Sequence, residues 1–274
     1  MTTNAKEPAA HRIVFANEKG GTGKSPTAGQ VGVALAYLGA RGTMLDLDPR
    51  QRTTFRYLEN RVATMNKRTL ELPTPEAHVF KGRTPEKLLK TMSKLERDAD
   101  FLIIDNPGRD DPFARAAVEN ADTLVTPLND SFVDFDLIGQ VDGETFEVKK
   151  LSFFAELVWE ARLKRSRQTL EERRPEMEWI VVRNRTGYVE ARNQARLEKA
   201  LRDMAQRVGF RAVKGLSERV IYRELFPSGL TLLDKKHLGE LGTSHLVARQ
   251  ELRALIKALN LPDFTTTPRA LEMA

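Results

Sequence analysis

The sequence predicts an α/β protein with a mostly parallel sheet and helices on both of its faces. Three observations carry that prediction. Short apolar runs alternate with helix-period segments, a glycine-rich loop joins the first run to the first helix, and aspartates close two later runs. At 274 residues, 41% hydrophobic and 30% charged, the chain is long and apolar enough to bury a substantial core. It contains no cysteine, which excludes disulfides, thiolate catalysis, cysteine zinc sites and cysteine-held iron–sulfur clusters. His11, His78, His237 and His245 are scattered without metal-ligand spacing. No run approaches the ~18 apolar residues of a membrane span, and Met1 to Arg12 lack the apolar stretch of a secretory leader. A cytoplasmic protein with no membrane partner is the expectation.

Arg12 to Ala16 reads as the first strand, running into the glycine-rich loop. From Ser25 a helix follows, with Ala28, Val31, Leu35 and Leu38 at helical spacing and Gly39 suited to its end. Thr43 to Leu47 is a second buried strand; a helix is expected after Pro49 as far as Arg61, then a polar stretch to Pro75. Phe101 to Asp105 is apolar up to its last residue, and Asn106-Pro107-Gly108 stops it. Ala121 to Pro127 is a further strand, followed by a short helix around Phe135 to Gln140 and a hairpin-like insertion from Gly143 to Leu151. Phe153 to Arg174 reads as a long basic helix, Trp179 to Arg183 as a strand, and Val189 to Val208 as a helix. A strand at Phe210 to Val213 and a helix near Leu246 to Leu259 complete the pattern. With no internal repeat or low-complexity linker, 1–262 are expected to form one domain and 263–274 a flexible tail.

The loop Gly20-Gly21-Thr22-Gly23-Lys24-Ser25 follows a β-branched strand and opens an amphipathic helix. That arrangement aims backbone N–H groups and the positive end of a helix at phosphates, and glycines allow the close approach. Glu18 stands where an ordinary phosphate loop has its first glycine. Lys24 would neutralise β- and γ-phosphate charge, and the Ser25 hydroxyl would ligate Mg²⁺. Asp46 and Asp48 at the end of the second strand, and Asp105 at the end of FLIID, stand where open α/β sheets gather ligands. Any one of them alone is ordinarily a turn residue. Three at strand ends beside such a loop point to carboxylates that hold Mg²⁺ and its waters or orient an attacking water. The fold implied is that of a P-loop NTPase, with a nucleoside triphosphate and Mg²⁺ as ligands.

The segment Asn17-Glu18-Lys19-Gly20-Gly21-Thr22-Gly23-Lys24-Ser25 resembles the deviant Walker A loop of the ParA/MinD family of ATPases. Asp46-Leu47-Asp48-Pro49-Arg50-Gln51 is similar to that family's switch I, and Asp105-Asn106-Pro107-Gly108 to its switch II. Within the family, the stretches 48–53, 121–136 and 220–227 resemble the MipZ branch, which positions the division plane. The resemblance implies that Lys19 reaches across an ATP-sandwich homodimer to the partner's nucleotide, stabilising transferring charge as an arginine finger does. It implies that Asp48 is needed for hydrolysis, that Asp105 is linked to Mg²⁺, and that Asn184 reads adenine, although a loop-capping role for Asn184 stays open. One departure is Pro26, where family members carry a second hydroxyl residue. Proline is tolerated in a first helical turn but removes a hydroxyl and an N–H from the α-phosphate side, which predicts weaker nucleotide binding.

Lys and Arg number 44 against 38 Asp and Glu, a net charge of +6 whose distribution matters more than its sum. Arg192, Arg196 and Lys199 fall on the face of their helix opposite Leu197, Leu201, Met204 and Val208. A solvated surface is the ordinary reading of such a face. The family resemblance implies non-specific DNA binding there, with Arg219 and Arg223 as further contacts. Phe153, Phe154, Leu157, Val158 and Trp159, at helical spacing, are expected in the core.

The resemblance implies an ATP-driven dimerisation switch associated with the nucleoid, with a ParB-like centromere-binding protein and the division protein FtsZ as partners. A ParA-type partition ATPase without action on FtsZ is the alternative within the family. A small-molecule P-loop ligase or kinase is the alternative of another class. A MinD-like membrane helix is disfavoured by the short, weakly apolar tail, and the nitrogenase iron-protein branch by the absence of cysteine.

Overall fold

The structure, a computed structural model, describes residues 10–129, 132–142, 148–172, 176–184, 191–217, 220–238 and 242–264. In chain order the elements are β1 (His11–Phe15), α1 (Lys24–Tyr37), β2 (Gly42–Asp46), α2 (Thr53–Arg68), β3 (Glu76–Val79), α3 (Pro85–Leu95), β4 (Phe101–Asp105), α4 (Pro112–Glu119) and β5 (Thr123–Asn129). They continue through α5 (Phe132–Phe135), β6 (Gly139–Val141), β7 (Val148–Leu151), α6 (Phe153–Glu172), β8 (Glu178–Asn184), α7 (Ala191–Val208), β9 (Arg211–Lys214), α8 (Val220–Leu225) and α9 (Thr243–Leu259). Seven strands form one sheet in the order β3-β2-β4-β1-β5-β8-β9, and every pairing in it is parallel. β6 and β7 form a separate antiparallel pair.

Strands buried on both faces must be apolar at successive positions, and alternate residues then serve opposite cores. Ile13 and Phe15 of β1 pack with Ala28, Val31 and Leu35 of α1 and with Leu252, Leu255 and Leu259 of α9. Val14 faces the other way, into a core shared with Leu88 and Met92 of α3, Phe154 and Val158 of α6, and Leu201 and Met204 of α7. The parallel register leaves all the strand C-termini at one edge, and the glycine-rich loop opens there.

Several elements depart from the sequence expectation. α2 starts at Thr53 and runs to Arg68 rather than ending at Arg61. Arg61 is fully buried and donates to both carboxylate oxygens of Asp234 (2.7 and 2.8 Å) and to the Gly229 carbonyl (3.1 Å). A charged residue reads as a helix's outer face until its partner, far away in sequence, is known. The expected helix around Phe135 to Gln140 is instead α5 followed by β6, and the hairpin begins at Gly139 rather than Gly143. Phe153 and Trp159 are each 55% exposed, not core, while Phe154 and Val158 are buried. The buried stripe of α6 follows 154, 158, 161 and 165, and the other two aromatics fall off it. Phe153 instead lies under the Arg115 guanidinium, 5.2 Å from the ring centroid. The expected tail 263–274 lies outside the described residues beyond Phe264.

Candidate nucleotide site

The loop after β1 is wired from within. Asn17, buried, donates to Thr22 Oγ1 (2.7 Å) and to the Pro127 carbonyl of β5 (2.6 Å), while its own oxygen accepts from Lys24 Nζ (2.7 Å) and the Lys19 N–H (3.1 Å). Gly23, at φ +86, makes the left-handed turn that starts α1, a conformation an L side chain resists. Gly108 brings the segment after β4 against the loop so closely that a Cβ there would meet the Gly20 backbone at 3.1 Å. Lys24 Nζ also donates to the Lys19 carbonyl (2.7 Å), and burial pulls its pKa down to about 8 against the opposing pull of Asp105.

Asp46 and Asp105 close neighbouring strands and are register partners across β2 and β4. Asp46 accepts from the backbone N–H groups of Asp48 (2.9 Å), Thr54 (3.1 Å) and Phe55 (3.3 Å), the last two from the start of α2. Burial nonetheless raises its pKa, with those N–H groups opposing. Asp105 is raised further, to about 7, by burial and then by the charge of Asp46. The Thr54 hydroxyl donates to Asp105 Oδ2, whereas Asp105 Oδ1 is buried without a hydrogen-bond partner. Two repelling buried carboxylates, one of them next to the Ser25 hydroxyl and with an oxygen lacking a partner among the described residues, fit a divalent cation held by Ser25, Asp46 and Asp105.

Asp48 lies half-buried at the rim, its Oδ1 accepting from the N–H groups of Arg50 (3.0 Å) and Gln51 (3.1 Å) and so holding its own turn. Gly20, Gly21, Gly23, Lys24, Ser25, Pro26, Asp46, Asp48 and Asp105 all border one cavity of about 330 Å³. Thr22 is buried behind the loop on Asn17. Lys19 does not border the cavity: its ammonium pairs with the buried carboxylate of Asp134 on α5, whose other oxygen accepts from the Asn129 N–H (2.9 Å).

A second cavity, of about 320 Å³, opens on the other side of the same loop and shares Gly23, Ser25 and Pro26 with the first. Asn184, at the end of β8, borders it but is extensively bonded to the frame. It donates to the Thr22 carbonyl (3.2 Å) and Thr27 Oγ1 (3.0 Å) and accepts from the Leu216 N–H (3.1 Å). Gln30, Tyr57, Tyr222 and Phe226 complete much of this wall; Tyr222 and Phe226 lie in the stretch 220–227 that carried the family resemblance, whereas Gln30 and Tyr57 carried no signal in the sequence. Thr54, which ties Asp46 to Asp105, was equally silent; a threonine eight residues after an aspartate reads as nothing until α2 folds back.

Of the five expected DNA contacts, Lys199 and Arg223 have described side chains. Lys199 is exposed on α7. Arg192 and Arg196 belong to the same helix, but their side chains, like the whole of Arg219, lie outside the described residues. Arg223, exposed on α8, borders the second cavity.

The family model for the ATPase MipZ matches residues 11–263. Protein ParA of Rhizobium radiobacter is 30% identical over 122 residues, 44% of this chain and 50% of that one. The septum site-determining protein MinD of Bacillus subtilis (strain 168) is 28% identical over 159 residues, 48% of this chain and 59% of that one. This chain therefore spans half to three-fifths of the length of those relatives. The fold is shared with an ATP complex of Cyanothece McdA (TM-score 0.59, 17% identity, 92% of this chain and 95% of that one). It is shared also with the MinC:MinD complex of Aquifex aeolicus (TM-score 0.56, 18% identity, 92% and 98%). A family match across nearly all of the described residues, on a parallel sheet with the phosphate loop and carboxylates at its C-terminal edge, identifies the chain as a member of the MipZ family of ATPases, within the ParA/MinD group.

Proposed function

We propose that the chain is an ATP-driven dimerisation switch that binds DNA non-specifically and positions the division site by inhibiting FtsZ assembly. The position of Lys19 carries the reading. The phosphate loop has two lysines, but only Lys24 borders the phosphate cavity, while Lys19 pairs with Asp134 outside it. A single copy thus supplies one loop cation to its own triphosphate and keeps a second for a partner's. In an ATP sandwich, Lys19 of each copy would neutralise charge on the other's γ-phosphate, so hydrolysis would require the dimer.

Within each copy, Lys24 and the loop N–H groups would hold the β- and γ-phosphates. Ser25, Asp46 and Asp105 would hold Mg²⁺, which neutralises phosphate charge when bound. Thr54 would fix the two carboxylates, and Asp48 would leave its turn to orient the attacking water. Dimerisation would double the basic face of α7, giving DNA retention that depends on nucleotide and weakens steeply with salt. A ParB-like centromere-binding protein would supply the second partner, and the site of action would be the nucleoid.

Size-exclusion chromatography with ATP and Mg²⁺ tests the switch. Asp48→Ala is expected to elute as a stable dimer, wild type as a mixture that decays, and Lys19→Ala as a monomer. A monomeric Asp48→Ala protein with ATP bound would overturn the reading. The ParA-type alternative is favoured by the 30% identity to a ParA protein. It predicts the same dimer without any effect on FtsZ polymerisation.

A further inference from the structure

We infer that Gln30 determines base specificity, its amide oxygen accepting a hydrogen bond from the 6-amino group of adenine. The inference rests on the ATP reading above. With the triphosphate in the carboxylate cavity, the shared border of Gly23, Ser25 and Pro26 leads the base into the second cavity. Tyr57, Tyr222 and Phe226 line it with aromatic side chains. Asn184 has spent its N–H donors on the Thr22 carbonyl and on Thr27 Oγ1 of α1, and its oxygen already accepts from the Leu216 N–H.

Gln30 is different. It borders the cavity, is 4% exposed, and its Oε1 is buried with no hydrogen-bond partner among the described residues. Tyr57 fixes which way the amide points. The single hydroxyl proton of Tyr57 goes to the Leu230 carbonyl (3.0 Å), so the hydroxyl can only accept from Gln30, whose Nε2 lies 3.3 Å away. The flipped amide would set two acceptors against each other. Oε1 is therefore the atom left over, and a buried acceptor without a donor is costly until a ligand supplies one. A 6-amino purine supplies a donor, whereas a 6-oxo purine presents another acceptor. Sites built around one such hydrogen bond reject analogues that cannot make it.

Titration calorimetry with ADP and inosine diphosphate tests this without turnover, since the two differ at position 6 of the base. Wild type is expected to bind ADP about tenfold or more tightly, the size of one buried hydrogen bond. Gln30→Met keeps the volume, removes the amide, and is expected to close the gap to about twofold. Tyr57→Phe leaves Gln30 in place but frees its amide to turn, and is expected to narrow the gap as well. If Gln30→Met fails to fold, Tyr57→Phe decides the matter. ADP preference retained in the folded variants, or absent from wild type, overturns the role of Gln30 and leaves the ATP reading standing. Wild type that binds neither nucleotide overturns both.

Discussion

The two sides of the phosphate loop are built on opposite principles. On the phosphate side, Asp46 and Asp105 face each other as register partners, burial raises both pKa values, and Asp105 Oδ1 has no partner. On the base side, Tyr57 and Phe226 pack with ring centroids 5.7 Å apart, and Asn184 is bonded to three parts of the frame. One side stores electrostatic repulsion that a bound cation would relieve. The other is largely satisfied and gains shape. Affinity and chemistry should therefore fail together when the first is changed, while changes to the second should alter affinity and selectivity with less effect on turnover at saturation.

The largest effect is expected from Lys24→Ala, which removes the loop cation from the phosphate side. ATP turnover should fall by roughly 100-fold or more, measured as phosphate release at saturating ATP, and a variant with near-normal turnover would collapse the distinction. Phe226→Ala strikes the base side. It should weaken ATP binding about tenfold and lower stability by about 1–3 kcal/mol, yet leave turnover at saturation close to wild type.

Asp105 offers a sharper contrast, because its effects on stability and on chemistry have opposite signs. Its folded pKa of about 7 stands above the ordinary 3.8, so between these values the folded protein holds a proton that the unfolded chain releases. Stability without metal should therefore decline as pH rises through that window and be lowest above it. At pH 8 with chelator, Asp105→Asn should raise the melting temperature by roughly 2–4 °C while abolishing Mg²⁺-dependent hydrolysis. No gain in melting temperature would mean the carboxylates are not in conflict. The smallest effect belongs to Pro26→Thr at the boundary of the two cavities, which restores an N–H and a hydroxyl and should tighten ATP binding up to about tenfold. Equal or weaker binding by calorimetry would sink that prediction.

The same division separates what could be read from the sequence and what could not. The phosphate side was legible because its parts are contiguous motifs with a mechanism: a loop between strand and helix, and aspartates where strands stop. Neighbouring apolar runs told that Asp46 and Asp105 end strands, but not that β4 lies between β1 and β2 and makes them register partners. The base side was almost silent. Gln30, Tyr57 and Leu216 come from α1, α2 and the segment after β9, and each alone looks like an ordinary helix or loop residue. Thr54 and Arg61 failed to register for the same reason, since their partners, Asp105 and Asp234, lie far along the chain.

By itself, the sequence determined the fold class, the phosphate loop with Lys19 and Lys24, and the carboxylates that face it. Local pattern suffices there, because a strand, a turn and a helix start each leave a signature within a few residues. Only the tertiary structure decided that Lys19 rests on Asp134, that Asn184 is committed to the frame, and that Gln30 keeps an unspent acceptor. These depend on which buried hydrogen-bonding groups find partners, and that accounting closes only when distant segments meet.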